Sequence, residues 1–142
     1  MQDTALSPEG WPGVQQNFRD VMAGVCSPVS VVTACVRGRP HGTTVSAFAS
    51  LSMDPPMVLV SLDRGSQILS LIRQVRVFGL NVLASGQSAL ALQFARKGPD
   101  KFGGLDWSAV GGVPRLPGTS GFLLCEVSDY VPGSNRRLSS AR

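Results

Sequence analysis

The chain has 142 residues, enough for one hydrophobic core and too few for two, so a single domain is expected. It is 43% hydrophobic and 15% charged, with no apolar run long enough to span a bilayer and no basic-then-apolar leader, giving the expectation of a soluble cytoplasmic protein that does not engage a membrane. The net charge of +4 does not point to nucleic acid, because Arg136, Arg137 and Arg142 crowd the last few positions and no basic run is interleaved with aromatics.

Residues 1–13 are rich in Pro, Gly and polar residues and read as a loose arm. Phe18, Val21, Met22 and Val25 then recur at helical spacing, which predicts an amphipathic packing helix ending near Gly24 to Pro28. Val29–Val36 is β-branched, and the breakers of Arg37-Gly38-Arg39-Pro40 predict a hairpin into a strand over Gly42–Ser52. Alternation along that strand would set Val45, Ala47, Ala49 and Leu51 on one face and Thr44, Ser46, Phe48, Ser50 and Ser52 on the other. The second face is a row of hydroxyls broken by one aromatic, suited to solvent or to a polar ligand.

Asp54-Pro55-Pro56 stops the strand, and Met57–Leu62 resumes as a buried one. Ser66 is placed to cap a short helix with Ile68, Leu69 and Ile72 inward. Val77–Leu83 reads as a strand, Ser85 or Ser88 as the cap of a helix running to Lys97 with Gly98 beyond it, and Phe122–Tyr130 as the last strand. Without regular crossover helices, a mainly β, antiparallel barrel with a few short helices fits better than a doubly wound parallel sheet.

Common chemical signatures are missing: the chain has no GxGxxG after a strand, no phosphate-loop GxxxxGK[ST], no GxSxG elbow and no HExxH helix. Its one histidine, His41, sits beside a turn without an evident Ser or Cys partner, and Cys26, Cys35 and Cys125 stand singly, so neither a hydrolase triad nor a metal site is expected.

The stretch RPHGTTVSAFASLSMDPPMVLVSLDRGS, residues 39–66, resembles the flavin reductase family, small reductase partners of two-component monooxygenases, whose members carry HGxTVSSFxSxSxDPPLVLVxLxxxS. The resemblance continues through FGLNVLASGQ at 78–87, FARKGPDKFGG at 94–104 and the tryptophan after Gly104-Leu105-Asp106, covering the chain from Phe18 to about Glu126. It implies a Greek-key split β-barrel over residues 14–130 that binds FMN or FAD at a homodimer interface and reduces it with NADH or NADPH. The reduced flavin would then diffuse to a separate monooxygenase.

Carried over residue by residue, the resemblance implies that Thr44, Val45, Ser46 and Ala47 meet the flavin ring edge and ribityl chain, with Ala47 standing where the family commonly has serine. Ser61, Leu62 and Asp63 would line the ribityl and phosphate side. Ser66, at a helix start, is either an anion site or an ordinary cap, and Arg96, Lys97 or Lys101 could complete the charge. No catalytic acid or base is assigned, since the flavin itself accepts hydride.

After Tyr130 the family continues with GDHxIxxGxV, whose histidine is associated with the nicotinamide site, whereas residues 131–142 read VPGSNRRLSSAR. This basic tail lacks the Asp-His pair and has neither strand alternation nor a hydrophobic face, so a closing strand is expected to be lost through truncation or a frame change near Gly133. Two alternatives to the reductase follow: a flavin-binding protein without turnover, and a defective or interaction-only barrel with an exposed edge.

Overall fold

The β-branched run after Pro28 becomes β1 (Ser30–Val36), whose first five residues are all buried. In the computed structural model, which describes residues 11–24, 28–98, 100–133 and 136–141, β1 lies between β2 (Arg39–Val45) and β5 (Val77–Val82), antiparallel to both. Arg37 and Gly38 make the β1–β2 turn with φ of 54° and 76°, the left-handed pair that tight hairpins use. β3 (Phe48–Met53) pairs with β4 (Pro56–Asp63), and β8 (Gly121–Gly133) pairs along its first half with β5.

β9 (Arg136–Ala141) corrects the expectation for the tail. It lies between β8 and β4, antiparallel to both, with Tyr130 and Val60 opposite Ser139 and with Gly133 and Asp63 opposite Arg136. A strand between two others is held by ladder hydrogen bonds on both edges, which require backbone groups and not a hydrophobic pattern. The expected loss of a closing strand therefore does not occur.

The resulting seven-stranded sheet has the order β2-β1-β5-β8-β9-β4-β3. Its two outer members are consecutive in the chain, joined through Ser46 and Ala47, and the Ser61 N–H donates to the Ala47 carbonyl at 2.9 Å. The sheet thus rolls up and is closed by its own chain, giving the split β-barrel. Its interior is filled by Val32, Ala34, Val60, Leu62, Phe78, Leu80, Cys125 and Val127.

The single strand predicted over Gly42–Ser52 is broken at Ser46–Ala47, which resets the alternation. Val45 and Phe48, expected on opposite faces, pack on the same core, and a register shift between Ser50 and Ser52 leaves Leu51 51% exposed. β6 (Ser108–Val110) and β7 (Val113–Arg115) form a small hairpin turned by Gly111 and Gly112 at φ of 57° and 79°.

Three helices among the described residues complete the domain. α1 (Trp11–Ala23) starts inside the expected arm, with Pro12 in the first turn where its missing N–H costs nothing. Its apolar stripe does not pack inward: Phe18 and Val21 are 63% and 60% exposed. Residues 1–10 and Val25 lie outside the described residues. α2 (Gln67–Val75) buries Ile68, Leu69 and Ile72 as its spacing predicts. α3 (Ser88–Ala95) is shorter than expected, and Gln87, not a serine, occupies its cap position.

Candidate functional site

The break between β2 and β3 is the natural centre of a site. Ser46 and Ala47 stand between the two ladders, and both are exposed. The Ala47–Ser61 hydrogen bond brings β4 against this bend, so the 44–47 and 61–63 segments, far apart in sequence, adjoin in space. Within them the side chains divide sharply. Val45 and Leu62 belong to the core at 7% and 3% exposure and can offer a ligand only backbone, Ser61 is buried, and Asp63 is exposed.

Thr44 has a task the sequence does not reveal. Its hydroxyl donates to the Ala91 carbonyl of α3 at 2.6 Å, so it fixes the helix to β2. Lys101 makes a second tie: its ammonium donates to the Gly42 carbonyl at 3.1 Å and to the Phe94 carbonyl at 3.2 Å, linking β2 to the end of α3. Gly42 permits this closeness, since a Cβ there would lie 2.8 Å from the Phe94 ring. Phe102 then packs edge-on against Phe94 with centroids 4.9 Å apart, so the two ends of the FARKGPDKF motif meet over β2 as a staple.

Burial, with the Arg96 charge adding to it, pulls the Lys101 ammonium below the usual lysine range. Arg96 and Lys97 themselves are exposed just past α3, available to an anion at the protein surface. Ser66 acts as the cap of α2, its hydroxyl accepting from the Leu69 N–H at 3.3 Å while its own N–H donates to the Asp63 carbonyl at 3.0 Å. His41 is half-buried in the middle of β2, and its pKa is lowered by burial first and by Arg39 second.

Sequence reasoning passed over two organising residues. Asn81 is fully buried; its amide donates to the Val31 carbonyl and the Thr33 hydroxyl, and its oxygen accepts from the Leu116 N–H at 2.9 Å. The Thr33 hydroxyl in turn donates a hydrogen bond to the Pro114 carbonyl at 2.6 Å, so one connected network holds the β6–β7 hairpin against the barrel. Gln87 bridges the Ala84 N–H and the Pro117 carbonyl, which sets the entry to α3. A polar residue inside the apolar run FGLNVL was the available signal for the first, and none marked the second.

Among the described residues no cluster of His, Cys, Asp or Glu could hold a metal ion, and no helix is long and apolar enough to cross a membrane.

The chain and its barrel are similar to known proteins. The Flavin reductase like domain matches residues 22–139. The chain is 39% identical over 121 residues to the reductase component of 4-nitrophenol 4-monooxygenase/4-nitrocatechol 2-monooxygenase of Rhodococcus opacus, covering 85% of this chain and 65% of that protein. It is 36% identical over 126 residues to the NADH:riboflavin 5′-phosphate oxidoreductase of Streptomyces pristinaespiralis, covering 87% and 72%. It therefore spans about two thirds of the length of these curated relatives. In three dimensions it resembles a homologue of nitrilotriacetate monooxygenase component B from Mycobacterium thermoresistibile, with a TM-score of 0.86 and 30% identity over 92% of this chain and 74% of that one. With the domain matched from the end of α1 into β9, the chain belongs to the flavin reductase like family.

Proposed function

We propose that this protein is an NAD(P)H:flavin oxidoreductase that binds FMN, or alternatively FAD, against the Ser46–Ala47 bend and supplies reduced flavin to a partner monooxygenase in the cytoplasm. The observation that carries this reading is the family match, which runs through the bend, β4 and the α3 staple. The residues present suit a flavin. The bend offers an exposed hydroxyl at Ser46 and backbone outside the ladders, and two exposed cations, Arg96 and Lys97, follow α3. Riboflavin 5′-phosphate, named for the Streptomyces relative, favours FMN with NADH.

A bound flavin would take hydride from the nicotinamide. The protein's own part is to hold and orient: the 44–47 and 61–63 backbone segments meet the ring and ribityl chain, Thr44 and Lys101 keep α3 in place, and Arg96 and Lys97 counter the phosphate. A homodimer fits the apolar side chains left outside, Phe18, Val21 and Met22 on α1 and Leu51 on β3.

The test is NAD(P)H oxidation by the purified chain with FMN, set against the uncatalysed blank. Turnover well above the blank is expected, and an Arg96→Ala/Lys97→Ala double variant should raise KM for FMN while leaving that for riboflavin unchanged. A rate no higher than the blank would remove the reductase reading. One observation favours binding without turnover as the second reading: β9, Arg136–Ala141, carries no histidine. Flavin titration of an inactive chain would then give saturable binding.

A further inference from the structure

The C-terminal end of α2 gathers hydrogen-bond donors that have no acceptor. The guanidinium carbons of Arg73 and Arg76 lie 5.5 Å and 5.7 Å from the centre of one ring, that of Tyr130 on β8. Two like charges thus converge, and among the described residues neither guanidinium has an ion pair or a hydrogen bond to offset the other. Of the carboxylates on this stretch of β8, that of Asp129 accepts from the Tyr130 N–H at 2.8 Å, and Glu126 stands exposed opposite Val77. The Tyr130 hydroxyl is buried and likewise without a partner among the described residues.

Arg76 is held here against its conformational preference. It closes α2 at φ 60° and ψ 16°, the left-handed conformation that disfavours any residue with a Cβ and that helix ends ordinarily give to glycine. Its N–H donates to the Ile72 carbonyl at 2.6 Å and its carbonyl accepts from the Val127 N–H at 2.9 Å, which fixes it between α2 and β8. Glycine would make both bonds with less strain; only the guanidinium at Tyr130 is peculiar to arginine. Arg64 before α2, and Arg37 and Arg39 at the β1–β2 turn, lie exposed at the same end of the barrel. With Arg73 and Arg76 they outnumber Asp63, Glu126 and Asp129 there, so the potential over the site is positive.

We propose that Arg73 and Arg76 form a binding site for the phosphomonoester group of a small molecule. Such a group brings two negative charges to two guanidiniums and presents three acceptor oxygens to their forked donors. A phosphodiester or a single carboxylate carries one charge and would leave one guanidinium unmatched. The site stands apart from the residues assigned to the flavin. Ser66 caps the other end of α2, and nine helical residues at 1.5 Å each put about 13 Å between the two ends.

The experiment titrates the intact chain with phenyl phosphate by calorimetry in chloride buffer. Saturable one-to-one binding is expected, and phenyl methyl phosphate, the singly charged diester, should bind about tenfold more weakly. Arg73→Gln and Arg76→Gly should each cost about tenfold in affinity for phenyl phosphate. Glycine suits φ 60°, so Arg76→Gly should melt no lower than the parent, which separates loss of the site from loss of the fold. Unchanged affinity in Arg76→Gly, with a lower melting temperature, overturns the proposal, because the arginine then serves only to pack on Tyr130. So does the absence of saturation, or loss of binding in Arg96→Ala/Lys97→Ala, which would put the phosphate at the cations assigned to the flavin. Two carriers of the group are told apart by competition with NADPH, whose 2′-phosphate is a monoester, and with NADH, which lacks it. Competition by NADPH alone assigns the site to the dinucleotide, and competition by neither assigns it to a separate ligand; either result upholds the site. Titration needs no turnover, so the outcome is independent of the reductase reading.

Discussion

The two sides of the barrel are held by different physics. Around β1 and β5 the chain is specified by side chains: five consecutive buried residues in β1, the Thr33–Asn81 network, and glycines at 42 and 79 that let Phe94 and Phe122 close on the backbone. Around β9 it is specified by backbone pairing, through a strand of sequence RRLSSA that meets both neighbours in continuous register against β4. The first side is intolerant of small changes in single residues. The second should tolerate those and depend on the strand's presence.

The sharpest way to break this contrast is to end the chain at Gly133. β4 would lose its β9 partner and the sheet would open between β4 and β8, so cooperative thermal unfolding followed by circular dichroism should disappear. A truncated chain that melts like the intact one would mean that β9 contributes little to the barrel. Next in size is Asn81→Ala on the other side. It removes three buried hydrogen bonds and leaves the Leu116 N–H without its acceptor, a loss of about 3 kcal/mol in urea unfolding. A change under about 1 kcal/mol would show that the network is incidental to packing.

A third change probes the contact between the barrel and the candidate site. Gly42→Ala places a methyl 2.8 Å from the Phe94 ring, and that ring is wedged against Phe102, so α3 must shift. The expected cost is about 2 kcal/mol. Gly65→Ala, with nothing within 4 Å of the added carbon, is the matched control and should be near neutral. If the two variants unfold alike, Phe94 has more room than its packing indicates.

The same division governs what the sequence could disclose. Elements specified by side chains were legible: β1, β4, β5 and α2 carry their burial in their residue pattern, and the 44–47 and 61–66 segments were expected from the family resemblance alone. The Ser46–Ala47 break was not, because neither residue is a strand breaker and the bend is held by a carbonyl bonded to Ser61. β9 was illegible for the same reason, its pairing being carried by backbone. The roles of Thr44 and Lys101 depend on where α3 lands, which local spacing does not encode, whereas Gly111-Gly112 between two valines was a hairpin signal available and unread.

A further predicted effect is a pH dependence at the seam between the two sides. Cys125 is buried on β8 where the strand passes from pairing with β5 to pairing with β9, and burial pushes its thiol up to about 11 from 9.0. The folded state therefore keeps its proton after the unfolded chain has lost it. This contribution to stability is whole below pH 9, falls between pH 9 and about 11 as only the unfolded chain ionises, and is gone above that range. Other groups titrate in the same window, so the informative quantity is the difference from Cys125→Ala. That variant should start less stable through the small cavity it leaves, and it should lose less stability from pH 9 to 11 in parallel urea unfolding curves. Equal slopes for the two proteins would mean that the thiol reaches solvent in the folded state, and hence that the barrel is looser around Cys125 than its burial implies.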